Sequence, residues 1–337
     1  MSNDRLTMNI AVENLELTKP FRISGHVFVS TPVAVVTLND GDHMGRGEAT
    51  GVYYLNDDLD AMVAALREVQ GDIEAGIGRE GLQQRLPAGG ARNAIDCAYW
   101  ELEARRTGRA VWELTGVGEP RPLLTAFTLG AEAPDLMAKA AESYSVARAL
   151  KLKLTGDIEE DSQRVMAVSR ARPDCWLGVD ANQGYDATTL SKLIPVLEAA
   201  GVSLLEQPLA RGHEADLDGF DCPIPIAADE SALTRDDLPG LVGRFDVVNI
   251  KLDKSGGLTE ALAMAEIARG LDLKVMVGNM TGSSLAMGPA FILGQLCDIV
   301  DLDGPTFLAQ DREPGIEYRD GTAWCPERVW GRRMAAA

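Results

Sequence analysis

Three carboxylates occupy equivalent places in the sequence. Asp180, Glu206 and Asp229 each end a short apolar segment, and no cationic residue adjoins any of them. If these segments are neighbouring parallel strands, the carboxylates converge at one edge of the sheet and repel each other. A hard divalent cation removes this repulsion, and Mg²⁺ prefers oxygen ligands. The pattern therefore predicts a Mg²⁺ site, and the alternative is three unrelated acids that cap the following helices.

Two lysines share one face of another short segment. Lys151 and Lys153 are separated by one residue within 150–154, so in a strand their side chains point the same way and the leucines point the other way. Burying ammonium groups is costly unless they have a task. Two adjacent ammonium groups lower each other's pKa, which favours a neutral amine that can act as a base. The alternative is a solvated edge strand.

The apolar segments that hold these residues recur after residue 122. Eight of them, separated by helical stretches, follow one another at intervals of 22 to 27 residues. They are 125–130, 150–154, 176–180, 203–206, 224–229, 247–251, 274–278 and 297–301. One strand, one loop and one helix need about this length, so the spacing predicts a closed parallel barrel. An open doubly wound sheet fits less well, because no glycine-rich turn follows the first strand.

The barrel would place two lysines opposite each other. Functional residues of such barrels lie at the carboxyl ends of the strands. Lys153 ends the second predicted strand and Lys251 the sixth, which lies across the barrel. The two amines can therefore flank a bound carbon, one removing a proton and the other returning one. A metal that stabilises the enediolate formed beside a carboxylate completes this chemistry.

The first 118 residues have a different pattern. Residues 33–38, followed by Asn39, Asp40 and Gly41, predict a strand and a tight turn. Residues 92–106 have the apolar spacing of a helix. We therefore expect a separate α+β unit before the barrel, and we expect the tail after residue 311 to fold back on the barrel or on this unit.

Taken together, these motifs resemble the enolase superfamily, in its muconate-lactonizing subgroup. The matching segments are 86–96, 151–153, 179–183, 205–208, 228–231 and 249–257. The resemblance implies a (β/α)7β TIM-like barrel over residues 119–310, with an N-terminal α+β capping domain over 1–118 that the tail 311–337 completes. It also implies that Lys153 and Lys251 are the acid and base, and that Lys151 orients the substrate carboxylate. Asp180, Glu206 and Asp229 would bind Mg²⁺.

Within the superfamily, the end of the eighth strand resembles the dipeptide epimerases of the L-Ala-D/L-Glu type. Asp301 and Asp303 match the acidic pair that holds the α-ammonium group of their substrates, and two carboxylates suit a cation. The alternative is a polar strand end that caps the next turn. These enzymes also bind the substrate's glutamate side chain with an arginine of the first domain. Arg22 and His26, in the segment 20–28, are the candidates here, and solvated basic residues are the alternative.

The resemblance therefore implies an isomerase, a Mg²⁺-dependent dipeptide epimerase. It would move a proton at the α-carbon of the C-terminal residue of a dipeptide, L-Ala-L-Glu above all, in peptidoglycan recycling. An N-acylamino acid racemase or o-succinylbenzoate synthase on the same scaffold is the alternative, although its substrates have no ammonium group for the aspartate pair. A muconate cycloisomerase suits that pair still less. A Schiff-base aldolase and a non-catalytic binding barrel are alternatives from other classes.

Composition limits the partners. The chain has 51 acidic and 32 basic residues among 337, and its net charge of −19 disfavours nucleic acid and anionic membranes. No apolar run is long enough for a membrane helix, and residues 1–5 do not resemble the start of a signal peptide. The five cysteines are scattered, which is typical of reduced thiols. We expect a cytoplasmic enzyme that forms a homo-oligomer and binds a small dipeptide.

Overall fold

The computed structural model describes residues 6–23 and 25–332, so the expectation about residues 1–5 lies outside the described residues. The chain begins with a three-stranded antiparallel sheet in the order β1-β2-β3, followed by helices. These elements are β1 (Thr7–Ile23), β2 (His26–Asn39), β3 (Met44–Ala49), α1 (Leu59–Glu74), α2 (Gly78–Arg85), α3 (Gly90–Thr107) and α4 (Val111–Thr115). The predicted strand, turn and helix of this region are confirmed.

Two glycines bring helix α3 against the sheet. A Cβ atom on Gly45 would lie 2.0 Å from the Ala98 oxygen, and one on Gly47 would lie 2.1 Å from the Ala94 oxygen. Only residues without a Cβ allow this approach of helix and strand backbones. As a result α3 is buried along most of its length.

Eight parallel strands follow in strictly sequential order. They are β5 (Phe127–Leu129), β6 (Ala149–Lys153), β7 (Trp176–Asp180), β8 (Leu204–Glu206), β9 (Ile226–Ala228), β10 (Val247–Ile250), β11 (Lys274–Val277) and β12 (Ile299–Val300). The first and last strands meet where the Ala126 N–H donates to the Val300 oxygen at 2.9 Å. The predicted TIM-like barrel is thus confirmed, and the doubly wound alternative, whose strand order reverses, is wrong.

The connections between the strands are not all helical. The helices are α5 (Pro134–Ser143), α6 (Ile158–Ala171), α7 (Ala187–Ala199), α8 (Leu252–Ser255), α9 (Leu258–Gly270) and α10 (Ser284–Gly294). The prediction of a helix after every strand is wrong after β8 and β9, where single 3-10 turns, Glu214–Leu217 and Leu238–Leu241, take its place. Glycine and proline interrupt both connections and disfavour a longer helix.

The barrel strands contribute apolar as well as charged side chains. Leu204, Ala227, Val247 and Met276, on four neighbouring strands, form a small apolar cluster apart from the larger core. On β6 the leucines are buried in the larger core that includes helix residues, so Lys151 and Lys153 point into the barrel, as predicted. Side chains at the carboxyl ends are therefore left to form a site.

The C-terminal segment contacts both parts of the chain. Its strand β13 (Glu317–Arg319) pairs with β14 (Thr322–Trp324), and β14 pairs with β4 (Leu123–Leu124), which precedes the barrel. Further on, the Trp330 indole N–H donates to the Arg46 oxygen at 2.9 Å, and the Arg46 guanidinium donates to the Val329 oxygen at 2.8 Å. The tail thus packs back on the first sheet. None of the helices in the described ranges is long and apolar enough to cross a membrane.

Helix α3 also contacts the barrel beside Lys251. The Arg92 guanidinium donates to the Ser255 oxygen at 2.6 Å and to the Gly256 oxygen at 3.2 Å. The Asp96 carboxylate accepts from the Thr259 hydroxyl at 2.6 Å and from its N–H at 2.9 Å. The short helix α8, which follows Lys251 directly, is therefore held by the first part of the chain.

Candidate active site

The three carboxylates predicted to bind metal meet at the mouth of the barrel. Asp180 and Glu206 are the last residues of β7 and β8 and are register partners, and Asp229 directly follows β9. All three side chains are buried, and oxygens from the three lie within 4.8 Å of one another. Three buried carboxylates with no soft ligand among them form the donor set of a hard cation such as Mg²⁺.

One oxygen of this cluster supports that fit. Glu206 Oε2 is buried without a hydrogen bond, although Lys151 Nζ lies 2.6 Å away as an ion pair of poor hydrogen-bond angle. Glu206 Oε1, in contrast, accepts from the Asn249 amide at 2.8 Å. One oxygen is thus oriented by a neighbour while the other faces the cluster, as expected of a metal ligand.

Each predicted acid/base lysine contacts a different carboxylate. Lys153 Nζ lies 2.6 Å from Asp180 Oδ2, and Lys251 Nζ lies 2.6 Å from Asp229 Oδ2. The lysines end opposite sides of the barrel, and both line one cavity of about 230 Å³ between the barrel and the first sheet. The arrangement can therefore present two amines to a ligand from two sides.

Lys151 lies deeper than Lys153 and is surrounded by acids. Its Nζ is 2.8 Å from Asp301 Oδ2 and 3.5 Å from Asp180 Oδ2. Burial alone would lower the pKa of Lys151, but Asp301, Glu206 and Asp180 raise it well above its usual range. The expectation that a neighbouring ammonium lowers this pKa is therefore wrong for Lys151, because carboxylates lie closer to it. The pKa of Lys251 is raised in the same way: burial lowers it, but the negative charges of Asp229 and Glu206 raise it by more.

The surrounding charges shift the pKa values of the carboxylates in opposite directions. Burial and the negative charge of Asp180 raise the pKa of Glu206 to about 7. For Asp229, Lys251 and Lys254 overcome burial and hold the pKa well below its usual value. The cluster therefore contains one carboxyl group that gains a proton near neutral pH as long as no cation offsets its neighbours.

Two further residues of the site have no role in the sequence analysis. Lys254 is fully buried, and its ammonium group contacts the Asp229 oxygen, Asp229 Oδ1 at 2.6 Å and the Asn249 oxygen at 3.0 Å. Asn249 also orients Glu206. The spacing of Lys254, three residues after Lys251 on the helical turn α8, is the signal that could have identified it.

Asp301 and Asp303 are close together but do not line the cavity. Asp303 Oδ2 accepts from the Thr128 N–H at 2.6 Å, and the Thr128 hydroxyl lies 3.5 Å from Asp301 Oδ1. Burial and the charge of Asp301 raise the pKa of Asp303 to about 7. The Asn279 amide donates to the Asp301 oxygen at 2.6 Å, which connects this pair to the loop after β11.

The cavity wall opposite the barrel includes several aromatic residues. Its lining residues from the first sheet and the turn after it include Phe21, Ile23, Phe28, Tyr53 and Tyr54. The two predicted side-chain binders do not line it: Arg22 forms an exposed ion pair with Glu132 at 3.1 Å, and His26 packs edge-on against Tyr53. Among the described lining residues, the cations are Lys153 and Lys251.

Comparison with known families agrees with this architecture. Residues 5–116 match the N-terminal domain of the mandelate racemase / muconate lactonizing enzyme family. Residues 135–329 match the enolase C-terminal domain-like family, which covers more than half of the chain.

Two curated relatives are similar along most of their length. An L-Ala-D/L-Glu epimerase of Escherichia coli (strain K12) is 41% identical over 315 residues, which are 94% of this chain and 98% of that protein. An N-acetyl-D-glutamate racemase of a Pseudoalteromonas species is 42% identical over 236 residues, 70% of this chain and 74% of that protein.

Two solved structures have the same fold. An enolase family member from Agrobacterium tumefaciens, with homology to dipeptide epimerases and with bound sodium and L-Ala-L-Glu, superposes with a TM-score of 0.94 at 35% identity, covering 97% of this chain and 100% of that one. A dipeptide epimerase from Methylococcus capsulatus, with Mg and L-Arg-D-Lys, gives 0.85 at 29% identity, covering 95% and 96%. The family models, the relatives and the barrel with its acidic cluster agree: this chain belongs to the enolase superfamily.

Proposed function

We propose that this protein is a Mg²⁺-dependent dipeptide epimerase that inverts the α-carbon of the C-terminal residue of its substrate, with L-Ala-L-Glu and L-Ala-D-Glu as the pair it interconverts. The observation that supports it most directly is the placement of Lys153 and Lys251 at opposite sides of one cavity, beside a buried acidic cluster. The similarity to the Escherichia coli epimerase and to the structure with bound L-Ala-L-Glu favours this substrate.

In this proposal the two lysines share the proton transfer. One amine removes the α-proton from one face, and the other ammonium group returns a proton to the opposite face, which inverts the centre. Their contacts with Asp180 and Asp229 orient both nitrogen atoms. A basic form must arise at one lysine during the reaction, and a cation that offsets the charge of Asp180 and Asp229 would favour that form.

The acidic cluster would hold the metal. Asp180, Glu206 and Asp229 are the residues proposed to bind Mg²⁺, which supplies stabilisation of the negative charge that develops on the substrate carboxylate. Lys151, with its ammonium group fixed by Asp301, would orient that carboxylate. Asp301 and Asp303 would hold the α-ammonium group of the dipeptide, for which a buried pair of acids is suited.

The second candidate is racemisation of an N-acylamino acid by the same lysines and metal. The relative from Pseudoalteromonas favours it, since it is an N-acetyl-D-glutamate racemase. The structure also offers an argument: Asp301 already contacts Lys151, Asp303 already accepts from Thr128, and neither lines the cavity. An N-acylamino acid has no free ammonium group at this place and therefore needs no carboxylate partner.

The remaining expectations complete the proposal. Residues 1–118, with the tail 311–337, would act as the capping domain that excludes water from a barrel over 119–310. A role for Arg22 or His26 in binding the side chain stays a prediction from the resemblance alone, and we do not include it in the proposal because neither residue lines the cavity. We also propose that the protein is cytoplasmic, forms a homo-oligomer and acts in peptidoglycan recycling.

Proton NMR in D₂O with Mg²⁺ tests this function. With L-Ala-L-Glu, the glutamate α-proton signal should disappear while the L-Ala-D-Glu diastereomer forms. Exchange with other dipeptides but not with L-Ala-L-Glu would support the epimerase function and refute the preference for glutamate. Exchange with N-acetyl-glutamate alone would establish the second candidate, and no exchange with any of them would refute both.

A further inference from the structure

Three described residues that line the cavity each have a buried polar atom without a hydrogen-bond partner. Seven buried side-chain polar atoms in the described ranges have no hydrogen-bond partner, and three of them belong to residues that line this cavity. The three are the Tyr54 hydroxyl, Asn182 Oδ1 and Glu230 Oε2. A buried polar atom without a partner costs free energy that a ligand can recover. Of the three, the Tyr54 hydroxyl is a donor in its neutral form, Asn182 Oδ1 is an acceptor, and Glu230 Oε2 is an acceptor when the carboxyl group is ionised.

Tyr54 has a fixed position relative to Lys251. It lies in the 3-10 turn Tyr53–Leu55, just after two N–H groups, of Thr50 and Gly51, that donate to Asp253 Oδ1 at 3.0 and 3.2 Å. Asp253 is buried on α8, two residues beyond Lys251. The segment just before Tyr54 is thus bound through the Asp253 side chain to helix α8, two residues beyond Lys251. This contact pre-organises the turn that carries the hydroxyl.

The surroundings of Tyr54 keep its hydroxyl a donor. Its ring packs perpendicular to that of Tyr53, with ring centroids 5.2 Å apart. Burial and the charges of Asp229 and Glu230 raise the pKa of Tyr54, so the hydroxyl keeps its proton. A protonated hydroxyl with no partner in the protein is suited to an oxygen acceptor on a ligand.

We propose that the Tyr54 hydroxyl donates a hydrogen bond to the amide carbonyl oxygen of the bound substrate. This inference rests on the proposed function. The α-carboxylate is assigned there to the metal and Lys151, and the amide oxygen is the remaining acceptor that dipeptides and N-acylamino acids share. The bond would hold the acyl side of the substrate so that the α-carbon stays between Lys153 and Lys251.

The proposal predicts a particular kinetic effect. Negative charge develops on the carboxylate during the reaction and not on the amide, so the hydrogen bond stabilises substrate and transition state alike. Tyr54→Phe should therefore raise KM by roughly 5- to 100-fold and leave kcat nearly unchanged. Because the hydroxyl has no partner in the free protein, the variant should melt at the same temperature as wild type or higher.

The experiment compares three compounds that share the amide. KM, or the competitive inhibition constant where a compound is not turned over, is measured for L-Ala-L-Glu, L-Ala-L-Gln and N-acetyl-L-glutamate by α-proton exchange with Mg²⁺. The proteins compared are wild type, Tyr54→Phe and Tyr99→Phe. Tyr99 is the matched control, because its hydroxyl is also buried without a partner but lies on α3, outside the cavity lining.

The expected result is the same increase for all three compounds in Tyr54→Phe and none in Tyr99→Phe. Unchanged constants in Tyr54→Phe would overturn the inference while leaving the function intact. A loss that differs between glutamate and glutamine would assign the hydroxyl to the side chain, and a loss that differs between the alanyl and acetyl compounds would assign it to the N-terminal group. Either overturns the amide contact. Wild type that exchanges none of the compounds would overturn the proposed function itself, and the inference with it.

Discussion

Lys151 Nζ and Asp301 Oδ2 lie 2.8 Å apart across the seam where the last barrel strand meets the first. Both side chains are almost fully buried, so water and salt screen the pair little. The lysine proposed to orient the substrate carboxylate and the aspartate proposed to bind the ammonium group therefore depend on each other.

Because Asp301 contacts Lys151 and Asp303 does not, substitutions of the two aspartates should have different effects on activity. Asp301→Asn removes one partner of a buried ion pair, which is strongly destabilising for the charge left behind. We expect it to lower kcat/KM at least about tenfold for both L-Ala-L-Glu and N-acetyl-L-glutamate, because Asp301 is the one of Lys151's three acidic partners that is not a proposed metal ligand. Asp303→Asn, which has no contact with Lys151, should impair the dipeptide alone. Steady-state kinetics on both compounds checks this, and equal losses in Asp303→Asn would remove its role in ammonium binding.

The two lysines should fail in complementary ways. Lys153→Ala and Lys251→Ala each leave one face without a proton carrier, so epimerisation should fall by about 10²- to 10⁴-fold or more. Each variant should still exchange the α-proton of one epimer, a different one in each case, with D₂O. NMR of both epimers measures this. Lys274→Ala, at the exposed amino end of β11, is the control. Full epimerisation in either site variant would contradict the two-base mechanism.

Mg²⁺ should stabilise the protein more at high pH. The pKa of Glu206 is raised from 4.5 to about 7, so the folded metal-free protein binds a proton that the unfolded chain has released. This group therefore costs stability as pH rises through that window. Mg²⁺ needs ionised ligands. The increase in Tm on adding Mg²⁺ should thus be larger at about pH 8 than at about pH 5, and Glu206→Gln should abolish most of it. A pH-independent increase in Tm would argue against this cluster as the metal site.

The contact between α3 and the barrel should matter for stability and for Lys251. Arg92→Met leaves the Ser255 and Gly256 oxygens without their donor, which should lower the free energy of unfolding by about 1–3 kcal/mol. Urea denaturation measures this, with the exposed Arg170→Met on α6 as the control. Since α8 directly follows Lys251, kcat should fall as well. An unchanged kcat would show that the lysine does not need this contact.

Arg22 should matter little for catalysis. Its ion pair with Glu132 is exposed, and such pairs contribute about 0–1 kcal/mol. Arg22→Ala should therefore change kcat/KM for L-Ala-L-Glu by less than about fivefold. A much larger loss with this dipeptide, absent with L-Ala-L-Leu, would instead establish Arg22 as the residue that binds the glutamate side chain.

The parts of the site that could be predicted are those fixed by strand register. Asp180, Glu206 and Asp229 follow from one rule, that the carboxyl ends of parallel strands meet at one rim. Lys151 and Lys153 follow from the two-residue period of a strand. These rules act within a few residues, so one sequence is sufficient for them.

The remaining features depend on distances between segments far apart in the chain. The contact of Lys151 with Asp301 spans 150 residues, and the placement of Tyr54 depends on Asp253 in the barrel. The direction of Arg22 depends on Glu132. None of these distances follows from local spacing. The expected pKa of Lys151 was wrong for the same reason, because Asp301 and Glu206 are remote in sequence but near in space.

The packing of the tail on the first sheet also has a consequence for synthesis on the ribosome. Arg46 is translated well before its acceptor, the Val329 oxygen, which is made 283 residues later. This contact of the first sheet therefore cannot form until the entire barrel has been synthesised. The surface of the first sheet that contacts Val329 and Trp330 lacks these contacts until then, so its packing can be completed only after the barrel has been translated.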